Sequence, residues 1–363
     1  RMKKIVVENL SKNYKKNIEA VKKINFAIEE QDFFVLLGPS GCGKSTTLRL
    51  IGGLETVSNG KIYLDNKDIT NLDPKDRDLA IVFQNYALYP HMNVKKNLSF
   101  ALRLKKSSND YINNKIDEVS KLLKIKDILE RKPSELSGGQ RQRVALGRAL
   151  VRNPKAFLLD EPLSNLDARL RALMRTELIQ IQKRLKATFI YVTHDQVEAM
   201  TMASKICIMN KGHILQIGTP DTIYNKPNCV FVANFLANPI NNILKSDISV
   251  KENGIVLKIF NKRINRNYFN FKLNHNQIIF SIRPEHIYLE ERSDTLLIES
   301  KIEVVENLGH ENILCVNFNS INDSLYLRTD TTYKYKSGEN INIYIDLKKM
   351  LYFDSKTEKI LGE

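Results

Sequence analysis

The sequence predicts an α/β domain built on a parallel sheet, followed by a smaller all-β domain. In residues 1–235, short apolar runs alternate with helix-like segments, which is the order that produces a parallel sheet covered on both faces. In residues 236–363, short alternating stretches are separated by Gly, Asn, Asp and Ser, as is typical of a small β-barrel or sandwich. A chain of 363 residues with 42% hydrophobic content is long enough for both domains.

The elements of the first domain can be placed in order along the chain. Apolar residues 33–37 form a predicted strand that runs into a Gly-rich turn, and a predicted helix follows at about residues 44–54. Residues from about 89 to 150 are helical in pattern with few strand signals, so we expect an inserted helical subdomain there. The other predicted elements are strands at 80–83, 156–160 and 188–193, a long helix at 167–186, and tail strands at 254–260, 302–306, 313–318 and 341–346.

Composition limits the classes of function. The longest apolar runs have the length of buried strands, far short of the roughly 18 residues that a membrane helix needs, and no apolar signal segment follows the first charges. We therefore expect a soluble, cytoplasmic chain that reaches a membrane only through a partner.

The formal charge of +15 is compatible with a solvated surface, with attraction to lipid headgroups or with nucleic-acid binding, and the dispersed lysines favour a solvated surface. The four cysteines form no CxxC pair, so neither a zinc site nor a disulfide framework is predicted.

A phosphate-binding loop is predicted at the turn after the first apolar strand. The run GPSGCGKS at residues 38–45 fits G-x-x-x-x-G-K-[ST], between a predicted strand and a predicted helix. Glycines let backbone N–H groups turn toward phosphate oxygens, and the helix N-terminus adds its positive end. Lys44 would bring a cation to the β- and γ-phosphates, and the Ser45 hydroxyl would coordinate Mg²⁺. The predicted ATP-binding residues of this loop are Gly38, Pro39, Ser40, Gly41, Cys42, Gly43, Lys44, Ser45 and Thr46.

Two acidic residues follow a fully apolar strand at residues 156–160. A strand that is apolar on both sides is expected at the centre of a parallel sheet. Asp160 at its end is predicted to join the Mg²⁺ shell, and Glu161 is predicted to polarise the attacking water. Many strands end in acidic residues, so the pattern alone is weak evidence for a metal site. It becomes strong evidence because a phosphate-binding loop precedes it in the chain.

Several further motifs resemble those of the ATP-binding proteins of ABC transporters. The segment LSGGQRQR at 136–143 resembles the family signature, SNLD at 164–167 its D-loop, and YVTHD at 191–195 its switch-histidine segment. VFQ at 82–84 is similar to its Q-loop, and Tyr14 falls where the family places an aromatic residue under adenine. The matches follow the family's order over about residues 3–235. The resemblance implies a phosphate-loop NTPase of RecA-like fold that hydrolyses ATP.

The resemblance also implies a role for each matched residue. Tyr14 would stack on adenine, and Gln84 would sense the γ-phosphate and Mg²⁺, as a third metal ligand beside Ser45 and Asp160. His194 would hold the γ-phosphate and orient the water against Glu161, so that the implied catalytic residues are Lys44, Gln84, Glu161 and His194. The signature and D-loop residues would contact ATP held by another subunit; these are Ser137, Gly138, Gly139, Gln140 and Asp167.

The residues that flank these motifs resemble one branch of the family, the importer ATPases that serve sugar uptake. QNYALYPHM at 84–92 and THDQVEAM at 193–200 carry the resemblance, and IRPEHI at 282–287 and VENLGHE at 305–311 are similar to that branch's oligonucleotide-fold-like (TOBE) regulatory domain. The resemblance implies a homodimer on the cytoplasmic face of the membrane, integral-membrane permease subunits and, indirectly, an extracellular substrate-binding protein. Either a groove for a permease helix or a packed core would explain the apolar side chains of Tyr86, Leu88, Tyr89 and Met92.

Other functions remain open on the sequence. An importer ATPase for polyamines or glycerol phosphate would differ only in its membrane partners. A soluble ABC protein that acts on ribosomes or DNA would usually carry two cassettes or a long coiled-coil insertion, and this chain has neither. The tail lacks the clustered aromatic and basic residues of an oligonucleotide-binding surface, so no nucleic-acid partner is expected.

Overall fold

Two sheets and six helices form most of the first of two units, Arg1–Thr222, and the second unit is Ile223–Glu363. The computed structural model describes residues 2–15, 18–237, 239–251, 254–260, 262–265, 275–318 and 324–362. The strands of the first unit are β1 (Lys3–Tyr14), β2 (Ile18–Glu29), β3 (Phe33–Leu37), β4 (Asn59–Leu64), β5 (Lys67–Asp68), β6 (Leu79–Val82), β7 (Ala156–Asp160), β8 (Phe189–Thr193), β9 (Lys205–Asn210) and β10 (His213–Gly218). Its helices are α1 (Lys44–Gly52), α2 (Val94–Leu104), α3 (Asn109–Leu122), α4 (Gly138–Leu150), α5 (Ala168–Leu185) and α6 (Gln196–Met202), and α7 (Pro220–Asn225) spans the division between the units.

The larger sheet of the first unit has the strand order β10-β9-β3-β8-β7-β6. Strand β3 pairs in parallel with β8 and β9, and β7 pairs in parallel with β6 and β8, whereas β10 is antiparallel to β9. Every residue of β3, β7 and β8 is buried, as expected for central strands covered by other elements on both faces. The predicted parallel α/β sheet is confirmed.

A second, antiparallel sheet with the order β2-β1-β4-β5 was not predicted from the sequence. Its inward side chains, among them Ile5, Val7 and Ile62, share one apolar cluster with Leu48 and Ile51 of α1 and with side chains of the larger sheet. The helix that follows the predicted phosphate-binding loop is therefore packed in the core of the unit.

Three helices occupy the region where the sequence predicts a helical subdomain. Helix α2 begins after Asn93, whose side chain accepts from Lys96 N at 2.8 Å, and α3 begins after Ser108, which accepts from Tyr111 N at 3.3 Å. Such caps satisfy N–H groups that have no acceptor within the helix. The buried face of α2 carries Val94, Leu98 and Leu102, at the spacing of an amphipathic helix.

The second unit contains helix α8 (Val230–Phe235) and two antiparallel sheets. The sheet orders are β13-β12-β11-β14-β20-β21 and β15-β19-β16-β17-β18, and one apolar cluster draws on strands of both. The predicted all-β tail is confirmed. The strands are β11 (Asn242–Lys251), β12 (Gly254–Leu257), β13 (Lys262–Asn265), β14 (Gln277–Ile282), β15 (Ile287–Tyr288), β16 (Thr295–Asn307), β17 (Asn312–Asn317), β18 (Ser324–Thr329), β19 (Asn340–Asp346), β20 (Leu351–Asp354) and β21 (Ile360–Leu361).

The division between the units falls earlier than the boundary estimated at residue 236. Helix α8 lies on the tail side, because Ala233 packs in a buried cluster with Ile279 and Phe353. In the described part of the chain, none of the helices has the length and apolar character needed to span a bilayer.

Candidate functional site

The carboxyl ends of three neighbouring strands meet at one edge of the larger sheet. In the parallel register Leu37 of β3 lies opposite Thr193 of β8, and Asp160 of β7 lies opposite Val192. The loop after β3, the acids at the end of β7 and the histidine after β8 are therefore neighbours. This edge of an open parallel sheet is where such folds bind ligands.

The loop that follows β3 depends on glycine at Gly43, the residue directly before α1. Its φ of 106° lies in the left-handed region, which glycine adopts without steric cost. A Cβ at this position would lie 2.5 Å from the carbonyl oxygen of Ala20 in β2, so a side chain is excluded by contact as well. The turn presents the N-terminus of α1 to the loop, where the first N–H groups have no acceptor within the helix and favour an anion.

Lys44 lies inside this loop and is almost completely buried. Its Nζ donates to the carbonyl oxygens of Gly38 at 2.8 Å and Pro39 at 3.0 Å. The cation is thus held by backbone carbonyls at the same end of the sheet as the acids of β7. A lysine so placed supplies positive charge where the helix N-terminus already favours an anion.

Cys42 belongs to the same loop, but its thiol is buried. Only 3% of the residue is exposed, and its side chain belongs to the core cluster of the unit. Burial raises the pKa of the Cys42 thiol, against the opposing effect of nearby Lys44.

Ser45 and Asp160 form the closest polar contact between α1 and β7. The Ser45 hydroxyl donates to Asp160 Oδ1 at 2.7 Å, and Arg49 Nη2 lies 3.9 Å from Oδ2 of the same carboxylate. Two of the three predicted metal ligands are therefore brought together. A hydroxyl and a carboxylate are the hard oxygen donors that Mg²⁺ prefers.

Glu161 and His194 form a second pair at this edge. His194 Nδ1 lies 3.3 Å from Glu161 Oε2, and Glu161 N donates to the carbonyl of Val192 at 3.1 Å. The φ of Glu161 is 45°, a conformation that non-glycine residues adopt at a cost and that recurs at functional sites. The backbone strain and the pairing with His194 both fix where this carboxylate points.

Gln84 contacts the 164–165 segment instead of the Ser45–Asp160 pair. Its Nε2 donates to Ser164 Oγ at 3.1 Å, while Asn165 Nδ2 donates to the Gln84 carbonyl at 2.9 Å. Ser164 Oγ in turn donates to the carbonyl of Glu161 at 2.8 Å. The predicted third metal ligand is thus linked to the segment that carries Glu161.

The signature residues begin helix α4. Ser137 Oγ accepts from Gln140 N at 3.3 Å, and Gln140 Oε1 accepts from Ser137 N at 2.9 Å, which is a reciprocal capping box. A Cβ on Gly138 would lie 2.9 Å from Cδ2 of Leu166, so a side chain at this position would require Leu166 of the D-loop to shift. Asp167 caps the next helix, α5, by accepting from Leu170 N at 2.9 Å.

Tyr14 lies at the end of β1, and 38% of it is exposed. Its Cα partner is Ile18 at the start of β2, the strand whose Ala20 carbonyl approaches Gly43. Lys12 Nζ lies 5.1 Å from the centre of the Tyr14 ring. The aromatic ring therefore belongs to the hairpin that borders the loop.

The groove predicted around residues 86–92 is present in part. A cavity of about 340 Å³ is lined by Tyr86 and Tyr89 together with Phe100 and Leu104 of α2. Tyr86 is itself 93% buried, whereas Leu104 is 70% exposed. Tyr86 therefore packs in the core and also lines the cavity, whereas Leu88 and Met92 are outside its lining. The groove for a permease helix stays a prediction.

Two buried charged residues were missed from the sequence, one at the far end of α1 and one beside the site. Arg77, 3% exposed, donates from Nη1 to the carbonyls of Leu50 at 2.7 Å and Ile51 at 2.9 Å, which places a cation at the C-terminal end of α1. Glu198 of α6 is also 3% exposed and accepts from Thr193 Oγ1 at 2.7 Å. Burial raises the pKa of the Glu198 carboxyl, while the hydrogen bonds from Thr193 and Tyr191 oppose that rise. An acid within an otherwise apolar helical turn was the only sequence signal for Glu198, and Arg77 had none.

Comparison with known proteins agrees with this geometry. The family model described as ABC transporter matches residues 21–164. The chain is 44% identical to the sn-glycerol-3-phosphate import ATP-binding protein UgpC of Psychromonas ingrahamii, over 99% of this chain and 95% of that protein. It is 43% identical to the oligosaccharides import ATP-binding protein MsmX of Bacillus subtilis, over 98% and 99%.

A solved structure of the ATP-binding cassette MJ0796, described as a dimeric post-hydrolysis state bound to ADP and Pi, is also similar. Its TM-score is 0.53 at 31% identity, with 60% of this chain and 98% of that chain covered. The predicted family, fold and ATPase activity are confirmed. The chain belongs to the ATP-binding proteins of the ABC transporter family and is an ATPase.

Proposed function

We propose that this chain is the ATP-hydrolysing subunit of an importer for a sugar, working as a head-to-tail homodimer on the cytoplasmic face of the membrane. The observation that carries the proposal is the meeting of the Ser45–Asp160 and Glu161–His194 pairs at one sheet edge, beside buried Lys44. The import names of the relatives at 43–44% identity support the transport role. Integral-membrane permease subunits would be the direct partners, and an extracellular substrate-binding protein an indirect one.

Different residues serve nucleotide binding and phosphoryl transfer. Lys44 and the N-terminus of α1 hold the β- and γ-phosphates, and Tyr14 stacks on adenine. The Glu161 carboxylate takes a proton from the attacking water as its oxygen bonds to the γ-phosphorus and ADP leaves. His194, 3.3 Å from Glu161, orients that water and the γ-phosphate.

Mg²⁺ fits the donor set on α1 and β7. Ser45 Oγ and Asp160 Oδ1, 2.7 Å apart, would hold the ion, and Gln84 would join them only after leaving its contact with Ser164. When bound, Mg²⁺ neutralises charge on the transferred phosphate. Ser137 to Gln140 and Asp167 would complete the ATP site of the second copy.

The dimer has a kinetic consequence. Because one chain carries one phosphate-binding loop and one signature, a whole site needs Lys44 and Glu161 from one copy and Ser137 from another. ATPase activity per subunit should therefore rise with protein concentration in the absence of membrane partners, and dilution series of steady-state phosphate release measure this. Activity strictly proportional to protein concentration down to high dilution contradicts the shared site.

The groove beside Tyr89 is the proposed binding site of a cytoplasmic permease helix. Leu104 is the most exposed large apolar residue of its lining. Leu104→Asp should therefore weaken co-purification with the permease by about tenfold or more, since a buried unpaired charge at an interface is costly. ATPase activity of the isolated subunit should not change. Leu54→Asp, 43% exposed and outside the groove, is the matched control, and equal losses in both variants would reject the groove.

The sugar itself is the least constrained part of the proposal. An importer of glycerol phosphate is the second candidate, because the UgpC relative carries that name at 44% identity. Purification of the subunit from its native membrane identifies the permease and binding protein. Calorimetric titration of that binding protein with an oligosaccharide and with glycerol 3-phosphate decides between the two substrates.

A further inference from the structure

Glu198 anchors both neighbours of His194. Thr193 Oγ1 donates to Glu198 Oε2 at 2.7 Å and accepts from Asp195 N at 2.9 Å. Asp195 Oδ1 accepts in return from Glu198 N at 3.1 Å. Thr193 is therefore bound to the buried carboxyl directly, and Asp195 is bound to it through the Thr193 hydroxyl and also to the backbone N of Glu198.

The same set of contacts continues to the D-loop. Asp195 Oδ2 lies 3.5 Å from Arg171 Nη1, and Arg171 Nη2 donates to the carbonyl of Leu166 at 3.0 Å. The side chain of Leu166 packs against Gly138 of the signature, where a Cβ would lie 2.9 Å from Leu166 Cδ2. A continuous chain of polar contacts thus runs from Glu198 to the 164–167 segment.

Burial makes the contacts of the Glu198 carboxylate difficult to exchange for water, whereas the Arg171–Asp195 pair is partly exposed. Glu198 is 3% exposed, and fully buried Tyr191 also donates to its Oε2, at 2.9 Å. Removal of one partner from such a network leaves buried polar groups unsatisfied. The segments it joins border one small cavity, lined by Glu161, Ser164, Arg171, Thr193, His194, Asp195 and Glu198.

We propose that Glu198 and Arg171 are positioning residues that hold His194 and the 164–167 segment in one fixed arrangement. A displacement of the 164–167 segment when a second subunit docks is then passed to His194 and Glu161. This inference rests on the proposed function, in which His194 and Glu161 act on the γ-phosphate. Neither Glu198 nor Arg171 is required to touch ATP.

The test is a double-mutant cycle with Arg171→Gln and Glu198→Gln. Each variant should lower kcat by about tenfold to a hundredfold, because small displacements of catalytic groups have effects of that size. The dissociation constant for ATP should stay within about twofold of wild type, which separates positioning from loss of binding. The double variant should be no slower than the slower single variant, because both break one chain of contacts. Arg171→Lys, which keeps the charge, should recover part of kcat.

Arg184→Gln is the matched control, since Arg184 is exposed at the last turn of the same helix. Single variants with wild-type kcat, or two effects that multiply in the double variant, overturn the proposal. Glu161→Gln and His194→Ala are measured in parallel. If those two retain turnover, the catalytic assignment fails and the positioning inference fails with it. If they lose turnover while Arg171→Gln behaves as wild type, only the positioning inference fails.

Discussion

Replacement of Glu161 by Gln is expected to abolish nearly all ATP turnover while ATP binding persists. The amide cannot accept the proton of the attacking water, and a general base typically contributes about 10²–10⁴-fold to the rate. The substitution keeps the shape of a side chain whose backbone is already held at a φ of 45°. Single-turnover phosphate release measures the loss, and ATP-dependent dimerisation in analytical ultracentrifugation should be stronger than in wild type because bound ATP is not consumed.

Glu8→Gln provides the control for the loss of one acidic charge. Glu8 is exposed on β1, which belongs to the antiparallel sheet and not to the larger sheet that carries Glu161. Its activity should equal that of the wild-type chain. Turnover of the Glu161→Gln variant near the wild-type rate would remove Glu161 from the role of base.

Replacement of Lys44 by Ala should act on nucleotide binding itself. A charge-assisted contact to phosphate is worth about 1.5–3 kcal/mol, which corresponds to an affinity loss of roughly tenfold to a hundredfold. The variant also leaves the carbonyls of Gly38 and Pro39 without the donor that holds them at 2.8 and 3.0 Å. Equilibrium titration with a fluorescent ATP analogue measures the change in dissociation constant.

Lys183→Ala removes the same charge from an exposed position at the end of α5 and should bind ATP as the wild type does. Thermal unfolding of Lys44→Ala shows whether the variant remains folded. Wild-type affinity in a folded Lys44→Ala protein would refute the placement of this cation at the phosphates.

The Lys44→Ala and Glu161→Gln variants are expected to differ in which step they impair, nucleotide binding or hydrolysis. Lys44 is held by the loop and α1, whereas Glu161 is held by the end of β7 and by His194. Loss of binding in one variant and loss of turnover in the other is the outcome that the sheet edge predicts. The register that sets Leu37 opposite Thr193 is what brings both functions into one crevice.

The sequence by itself was sufficient to predict the features that depend only on residues close together along the chain. The run at residues 38–45 follows β3 directly and ends in the first turn of α1, as predicted, because strand, Gly-rich turn and helix N-terminus follow one another without interruption. The buried strands β7 and β8, helix α5 and the helical insert were also predictable, since a period of 3.6 or an unbroken apolar run shows them locally. The roles of His194, Gln84 and the signature came from the family resemblance.

Only the tertiary structure decided which distant segments meet. The antiparallel sheet of β1, β2, β4 and β5 pairs residues through a register that no local pattern specifies. Gln84 donates to Ser164, 80 residues away, and Arg77 binds the end of α1 through backbone carbonyls that carry no sequence signature. Helix α8 joins the tail because Ala233 has its apolar partners there. Local periodicity shows which face of an element is buried, but the partner on that face is selected by packing and hydrogen bonding across the whole fold.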